Sequence, residues 1–446
     1  MNMAYSAGNN LPFESASKIG HLSVIKSEWV NEVIKNFESI EDEFCGDEEK
    51  GLWNSYDPTQ ETPLEEIWVS DGSYQVVVDH KKEVSFVKTA LLNIQQRKIE
   101  RIDKNNPHPL LLQDIMENSA EYHSTILPLR NVVTKGKSIT ESVRHIIYDS
   151  MRMDPANGRL YFDTLKWLTY KKWSNEKPNS LDFECPYCGQ KIEKGLPYDS
   201  DEGECPYCHK IVFLTDMLGF HLDMSEESIS GTVATSYMLI MELLMLFTVI
   251  RLQWDMLDKQ AVTRALFIKD GPMTLGAQYS KLVPNIREFL CYAREQKRPI
   301  HLMGSEKSGK FMDYLESIKN YIPYEPKKIQ YAVLPHWFIQ SVIQRTPEQP
   351  NPYGIRTNWG EKVLVSIDRN TNYVLNITTG GYDKDKNYPH EADLIGLYKI
   401  LSTIPSIISR KYEGALYPVE LANGIASMSN YPSAKILERF ISDSLK

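Results

Sequence analysis

Four cysteines stand in two identical tetrapeptides whose spacing is typical of a metal site. Cys185-Pro-Tyr-Cys188 and Cys205-Pro-Tyr-Cys208 are separated by 16 residues. Each CxxC places two thiolates on one tight turn, and two such turns facing each other supply the four ligands of a tetrahedral Zn²⁺ site. Because a four-ligand site keeps no position for a substrate, the pattern predicts a structural zinc ribbon. A redox pair of CxxC motifs is the alternative.

The adjacent histidine and the other two cysteines are not predicted to bind the metal. His209 directly follows Cys208 and is interpreted as solvent-facing rather than as a fifth ligand. Cys45 and Cys291 each stand alone in the sequence, and such cysteines usually act as small apolar residues.

Two aspartates suggest a second kind of chemistry, because each follows a β-forming run and precedes a glycine. They are Asp71 in Trp68-Val-Ser-Asp-Gly-Ser73 and Asp270 in Leu266-Phe-Ile-Lys-Asp-Gly-Pro272. An aspartate at a strand end can point into a shared cleft, and the glycine lets backbone or ligand come close. Two such aspartates on neighbouring strands could hold divalent metal ions about 3.5–4 Å apart at a phosphodiester. Taken singly, Asp-Gly is more often a turn.

Glu242 is the sole charge in the apolar stretch Tyr237–Ile250. This stretch is shorter than the roughly 20 residues that span a bilayer, so it predicts a buried core helix. Burying an unpaired carboxylate is costly, so Glu242 needs a partner or a metal. The alternatives are a pair with an arginine such as Arg264, or a helix face that reaches solvent.

The segment Gly304–Phe311 nearly matches the phosphate-binding loop pattern G-x4-G-K-[ST], and it follows a predicted strand and precedes a predicted helix. Phe311 replaces the hydroxyl residue that binds Mg²⁺, which argues against an ATPase. Backbone N–H groups, Lys307 and Lys310 could still bind a phosphate of a DNA backbone.

The elements that must position these residues form an α/β or α+β pattern. Three closely spaced β runs come first, over residues 67–70, 74–78 and 84–94, and helix–strand alternation resumes after residue 230. Helices are predicted at 27–44, 139–173, 231–258, from Pro284, at 310–321 and from Glu391 onward. Strands are predicted at 265–268 and 299–303, and a hairpin at 363–377. The cysteine module interrupts this core.

Composition limits the function classes. The chain has 446 residues and a net charge of −9, which excludes a globally basic nucleic-acid-binding protein. The first 13 residues carry no basic segment and no apolar segment, so no signal peptide is expected. A cytoplasmic protein with reduced thiols is predicted, which favours metal binding over disulfides.

Several short motifs, taken in order, resemble NurA-type nucleases. Val-Ser-Asp-Gly-Ser around Asp71 is similar to the family's first motif, and the Glu242 helix followed by Phe-Ile-Lys-Asp-Gly-Pro-Met is similar to its second block. The run from Ile300 to Lys307 resembles a strand-then-lysine block, and Leu416–Asn423 resembles the late Tyr-Pro block. The match covers residues 60–94 and 232–440, with 95–230 largely extra.

This resemblance implies an RNase H-like core, a homodimer, and Mn²⁺- or Mg²⁺-dependent DNA cleavage together with a HerA-type hexameric DNA-translocating ATPase. It implies that Asp71, Glu242 and Asp270 are metal ligands and that Lys307 contacts DNA phosphate. One position departs from the family pattern, because Asn423 stands where a histidine is usual. The zinc ribbon is not a general feature of the family and indicates a divergent branch.

Other residues are assigned auxiliary roles. His390 or Asp393 could compensate for Asn423, although a helix N-terminal cap explains their segment equally well. Basic residues of the second core block could steer a DNA backbone, or could form a solvated helix face: Arg287, Arg294, Lys297, Arg298, Lys307 and Lys310.

The sequence thus predicts a two-metal DNA nuclease acting in DNA end processing or anti-phage defence, without membrane association. Its RNase H-like core, a mixed sheet flanked by helices, is divided by a helical insertion and a zinc ribbon. The predicted parts are residues 1–94, 95–174, 175–216 and 217–446. The alternative is a non-catalytic zinc-ribbon adaptor that binds DNA or an ATPase and has a degenerate nuclease core.

Overall fold

The computed structural model describes residues 26–36, 51–96, 120–153, 158–174, 176–346, 353–381, 388–409, 414–428 and 433–444. Contacts divide the chain into two units, residues 1–46 and 47–446. The predictions for the first 13 residues, for positions 37–44 and for Cys45 lie outside the described residues. So does the part of the predicted insertion from 97 to 119.

The first unit contributes one described helix, α1 (Glu28–Lys35). The Ser27 side chain accepts a hydrogen bond from the Val30 N–H, which satisfies one of the unpaired donors at the helix start. Glu28 and Lys35 lie at the ends where their charges complement the helix dipole.

The second unit is built on a nine-stranded mixed sheet. Its strands, in sequence order, are β1 (Trp53–Tyr56), β2 (Glu66–Asp79), β3 (Lys82–Gln95), β4 (Ala120–Arg130), β9 (Ala265–Asp270), β10 (His301–Glu306), β11 (Ile329–Val333), β12 (Gly360–Asp368) and β13 (Thr371–Thr378). The spatial order is β1-β11-β12-β13-β10-β9-β2-β3-β4. Strand β9 runs parallel to β2 and β10, and the other neighbours are antiparallel.

Helices cover both faces of this sheet. They are α2 (Ile139–Arg152), α3 (Leu160–Thr169), α4 (Gly231–Asp255), α5 (Val283–Glu295), α6 (Lys310–Ile318), α7 (His336–Phe338), α8 (Leu397–Ile407), α9 (Tyr417–Ala426) and α10 (Ser433–Ser444). One apolar core contains α2 to α5 and the cysteine module, and a second core contains α8 and α9. Helix α10 packs on the β2–β3 hairpin through Leu437 and Ile441. The predicted α/β class with a helix-flanked mixed sheet is confirmed, whereas the RNase H-like assignment stays a prediction.

Helix α4 is long and apolar enough to cross a membrane by length and composition, but 78% of its apolar window is buried inside the protein. Its side chains form the centre of the first core, beneath strands β2 and β3. The sequence interpretation of this stretch as a core helix therefore agrees with the structure.

Two local predictions were wrong. The β runs before and after Asp71 form one 14-residue strand, β2, because β3 pairs with it through Asp71, Gly72 and Ser73. Residues 120–130 of the predicted helical insertion form β4, which pairs with β3. Pro128 lies in β4, and proline is tolerated there because β4 is an edge strand.

Candidate metal centres

The cysteine module consists of two short hairpins. Strands β5 (Phe183–Glu184) and β6 (Lys191–Ile192) form the first, and β7 (Glu202–Glu204) and β8 (Ile211–Phe213) form the second. Each hairpin holds one Cys-Pro-Tyr-Cys turn. The residue after each turn takes a left-handed conformation, with φ of 68° at Gly189 and 58° at His209.

The four sulfur atoms lie at the corners expected of a metal site. Cys185 Sγ is 3.7 Å from Cys208 Sγ, and Cys188 Sγ is 3.8 Å from Cys205 Sγ. A tetrahedron with Zn–S arms of about 2.3 Å has edges of roughly 3.8 Å. A disulfide would need about 2.05 Å, so these cysteines are not bonded to one another. Among the described residues, these cysteines form a ligand group whose donor atoms all lie within 4.8 Å, and His209 is not in it.

The cysteine module is part of the main core rather than a separate attachment. Cys185, Cys205 and Phe213 are buried together with residues of α2, α3 and α4. At the base of the module, Arg144 of α2 donates two hydrogen bonds to Asp216, of 2.8 and 2.7 Å, and both side chains are buried. Sequence reasoning missed this pair, because its members are 72 residues apart and no spacing rule connects them.

The second centre begins with Asp71 and Asp270 on adjacent parallel strands. Ser70 of β2 is in register with Lys269 of β9, so the two aspartates occupy the next position on each strand. Neighbouring strands are about 4.8 Å apart, which brings the two backbones within reach of one metal site. Asp270 is the last residue of β9, as predicted, and Ser305 of β10 stands beside it.

Asp71 is buried, with 3% of its surface exposed. Its Oδ1 accepts a hydrogen bond of 2.7 Å from the Gly72 N–H, but its Oδ2 has no hydrogen-bond partner among the described residues. Burial, and then the negative charges of Asp270 and Glu242, raise the pKa of Asp71 to about 8. Such a carboxyl is protonated at neutral pH unless a cation compensates its charge.

Glu242 approaches the strands from helix α4. Its Oε1 lies 2.7 Å from the position that a Cβ on Gly72 would occupy, so Gly72 makes room for the carboxylate. Side chains alternate along a strand, so Gly72 faces α4 whereas Asp71 faces the opposite side. Burial raises the pKa of Glu242, and the ammonium group of Lys269 opposes that effect.

Lys269 is the ion-pair partner of Glu242. Its Nζ lies 2.8 Å from Glu242 Oε2, although the approach is not aligned as a hydrogen bond. The alternative that Glu242 pairs with Arg264 was wrong, because Arg264 pairs with Asp258 at 2.5 Å. A lysine within the apolar strand β9, facing a helix with one carboxylate, was the signal that sequence reasoning overlooked.

The phosphate-loop segment lies beside Asp270. Lys307 Nζ is 3.0 Å from Asp270 Oδ1, so the lysine predicted to contact DNA is also a counter-ion of a carboxylate. Gly309, with φ of 98°, precedes the first turn of α6, where Lys310 is exposed to solvent.

Asn423 lies on α9, which packs over β2 and β3. The end of this helix is fixed to the Asp71 face, because Ser73 donates to the Ala426 carbonyl (2.5 Å) and Lys88 donates to the Ile425 carbonyl (2.6 Å). Asn423 is exposed one turn before these contacts. The structure therefore places Asn423 on the helix that covers the face of Asp71.

His390 and Asp393 are not brought to the carboxylates. Asp393 accepts a hydrogen bond of 2.9 Å from the His390 N–H, which is the cap that explained this segment equally well from sequence. The next residue, Leu394, bridges to Thr379 after β13. Since β13 is antiparallel to β10, this turn lies where β10 begins, at the opposite end of the strands from Asp270.

Two of the basic residues proposed to steer DNA are used within the fold. Arg287 donates to the carbonyls of Ile355 and Gly354 (2.8 and 3.2 Å), and Arg298 donates to those of Lys259 and Trp254 (both 2.7 Å). These contacts differ from both sequence interpretations, a DNA track and a solvated face. Lys297 and Lys310 are exposed.

The donor set of the carboxylate centre suits Mn²⁺ or Mg²⁺, because it is made of oxygen ligands. The buried Asp71 Oδ2 without a partner is the feature that a cation would satisfy. Among the described residues, the cysteines form a compact metal-ligand cluster, whereas the three carboxylates do not form one. Asp71 and Asp270 fit the ion, whereas Glu242 is already paired.

No protein-family model and no curated protein matches this chain. Solved NurA structures resemble it over nearly its whole length. The NurA nuclease from Sulfolobus solfataricus is 10% identical with a TM-score of 0.37, over 96% of this chain and 97% of that chain. NurA bound to dAMP and manganese is 11% identical with a TM-score of 0.28, over 97% and 98%.

Proposed function

We propose that this protein is a Mn²⁺- or Mg²⁺-dependent DNA nuclease. The observation that supports the proposal is the pair Asp71 and Asp270, in adjacent register on parallel strands, with one buried carboxylate oxygen unpartnered. Burial, together with repulsion from Asp270 and Glu242, raises the pKa of Asp71, and a divalent cation would relieve this unfavourable charge. The sequence motifs around these residues are similar to those of NurA-type nucleases.

In this proposal Asp71 and Asp270 hold the cation, and Glu242 contributes the third negative charge of the centre. A divalent cation held there would supply Lewis-acid polarisation of a phosphodiester and a more acidic water, for a hydrolysis in which water adds to phosphorus and one P–O ester bond breaks. Lys307 and Lys310 neutralise backbone phosphates, and Asn423 offers an amide oxygen from α9. In the two-metal form expected from sequence, Glu242 would complete a second ion site.

We propose a closed tetrathiolate Zn²⁺ site at the cysteines, with a structural role. From the sequence resemblance we also propose a homodimer that works in the cytoplasm with a HerA-type hexameric translocase, in end processing or anti-phage defence. The net charge of −9 supports a need for such help, since an acidic chain holds DNA weakly by itself.

The test is cleavage of labelled linear DNA, single- and double-stranded, by the zinc-loaded full chain with Mn²⁺. We expect Asp71→Ala and Asp270→Ala to lower cleavage at least about 10³-fold, near 4 kcal/mol of transition-state stabilisation. Asp258→Ala is the matched control, because Asp258 is an exposed carboxylate paired with Arg264. The proposal would be contradicted if both variants cleaved DNA at the wild-type rate, or if the wild type cleaved DNA without a divalent ion.

A non-catalytic adaptor is the second candidate, and two contacts favour it. Lys269 pairs with Glu242 and Lys307 pairs with Asp270, so two carboxylates have structural counter-ions without any metal. Asn423 also provides no base. This candidate predicts DNA binding without cleavage, with and without a motor ATPase, and no tight Mn²⁺ binding at Asp71.

A further inference from the structure

Glu242 belongs to the carboxylate centre, but it forms a buried ion pair with Lys269. Such a pair is unusual for a carboxylate that is expected to bind a metal. The side chains of Lys269 and Glu242 are 1% and 3% exposed, and Nζ lies 2.8 Å from Oε2. Lys269 Nζ also donates a hydrogen bond to the Asp270 carbonyl (2.7 Å), so one ion pair and one hydrogen bond fix the ammonium group. Leaving a buried charge without its partner is strongly unfavourable, so neither member is readily released to another partner.

The geometry also separates Glu242 from the two aspartates. Glu242 Oε1 lies against Gly72 on the α4 side of β2, whereas Asp71 projects from the other side. Among the described residues, the three carboxylates do not form a metal-ligand cluster of the kind that the cysteines form. Asp71 and Asp270 follow the paired residues Ser70 and Lys269 on adjacent strands, which makes them the two carboxylates placed to share one ion. Glu242 would have to leave Lys269 to join them.

We propose that Lys269 serves as a built-in cation for Glu242, and that the carboxylate centre binds one exchangeable divalent ion, held by Asp71 and Asp270. This inference rests on the proposed function and specifies its metal count. Lys269 is thereby a positioning residue, since its ammonium group fixes Glu242 and the backbone of Asp270 without contacting substrate.

The charge balance supports one ion. Asp71, Glu242 and Asp270 carry three negative charges when ionised, and Lys269 and Lys307 carry two positive charges within 3.0 Å of two of those carboxylates. One divalent ion changes this net charge from minus one to plus one. A second ion would raise it to plus three in a region where Lys269 is almost fully buried, and unpaired buried charge is strongly unfavourable.

The experiment counts bound Mn²⁺ by the electron paramagnetic resonance signal of free Mn²⁺ during titration of the zinc-loaded full chain. We expect one tight Mn²⁺ per chain for the wild type and none for Asp71→Asn. Lys269→Met frees Glu242 and is expected to bind a second Mn²⁺. Lys171→Met is the matched control, because Lys171 is another buried lysine paired with a glutamate, Glu288, and it should keep one.

Glu242→Gln keeps the inference falsifiable if Lys269→Met does not fold. It should still bind one Mn²⁺, with affinity within about threefold of the wild type, because Glu242 is not a ligand in this proposal. Two tight Mn²⁺ per wild-type chain, or loss of Mn²⁺ binding in Glu242→Gln, would overturn the inference but leave the nuclease proposal standing. Absence of Mn²⁺ binding in the wild type would overturn both.

Discussion

The cysteine cluster and the carboxylate centre are both candidate metal sites, yet they are built in opposite ways. The cysteine ligands come from two hairpin turns within 24 residues, with all sulfur atoms inside 4.8 Å of one another. The carboxylates come from β2, α4 and β9, across 200 residues, and two of the three have lysine counter-ions. A closed site suits a structural ion, and a partly open site suits an exchangeable one.

The difference extends to burial and charge. The cysteine module shares its apolar residues with the main core, so an ion bound by the cysteines would support packing. At the carboxylate centre, Lys307 and Lys310 form an exposed border. The raised pKa of Asp71 shows that ionising this buried carboxyl beside other carboxylates is unfavourable. One site is thus expected to control the stability of the chain, and the other to control its chemistry.

Removing the structural ion should have the largest effect. We expect Cys205→Ser, or strong chelation with reductant, to lower the free energy of unfolding by more than about 5 kcal/mol, since zinc contributes about 10 kcal/mol or more in small zinc modules. Because the module lies in the same core as α2 to α4, the loss should appear as one cooperative transition in thermal unfolding followed by circular dichroism.

The control for that prediction is Cys291→Ser, a cysteine outside the cluster. It should change the free energy of unfolding by less than about 1 kcal/mol. A separate early transition of the module, with the sheet intact, would contradict the shared core.

The same contrast explains what could be predicted from the sequence. The cysteine ligands are neighbours in the chain, so their spacing alone predicted the cluster that the structure forms. Asp270 was also placed correctly, because β9 ends at it. The Asp-Gly pair predicts a strand end at Asp71, because this pair usually forms a turn, but pairing with β3 continues the strand through Asp71. Local propensity is often overridden by such tertiary pairing.

Other features depended on contacts that no local pattern contains. The sequence shows Lys269 only as part of a motif and does not reveal it as the counter-ion of Glu242, because long-range ion pairs have no spacing rule. Strand β4 was missed because Pro128 and its polar residues do not alternate clearly, and its pairing with β3 decides its structure. His390 and Asp393 were candidates by residue type, and their position at the far end of the sheet could not be read from the chain.

The carboxylate centre should be sensitive to any side chain added at Gly72. A Cβ there would lie 2.6 Å from Met238 Cγ and 2.7 Å from Glu242 Oε1, so the carboxylate must move. We expect Gly72→Ala to lower DNA cleavage by roughly 10- to 100-fold, because small misplacements in an active site are costly. Gly231→Ala, at the start of α4 with open space around its Cβ position, should leave cleavage unchanged. Equal activity of both variants would argue against a role for Glu242 placement.

Metal binding at the carboxylates should depend on pH, whereas the cysteine ion should stay bound over the same range. The folded-state pKa of Asp71, about 8, exceeds its ordinary value, so the metal-free protein takes up a proton at this site below that pH. Mn²⁺ must displace that proton, so its affinity should rise about tenfold per pH unit from 6 to 8 and then level off. Calorimetric titrations in two buffers of different ionisation enthalpy would measure the released proton. A flat profile would mean that Asp71 is not a ligand.

In the metal-free protein, the contribution of Asp71 to folding stability should fall as pH rises, whereas Mn²⁺ affinity should increase. Because the folded pKa of Asp71 is raised, the folded state binds more protons than the unfolded state between about pH 4 and 8. The contribution of Asp71 is therefore most favourable below its unfolded pKa and is lost as pH rises through 8. Asp71→Asn should abolish this part of the pH dependence in denaturant unfolding, and added Mn²⁺ should reverse it.

The smallest effects are expected at the exposed border, where Lys307 and Lys310 allow a matched comparison. Lys310 lies on the first turn of α6, and Lys307 is 3.0 Å from Asp270. We expect either alanine variant to weaken DNA binding about two- to fivefold and to reduce the slope of log affinity against log salt by about one. Only Lys307→Ala should also tighten Mn²⁺ binding, by a few-fold, because it removes a cation beside a ligand. If Lys310→Ala changed Mn²⁺ affinity as much as Lys307→Ala, the two lysines would not have the separate roles proposed here, with Lys310 only a phosphate contact and Lys307 also a counter-ion of Asp270.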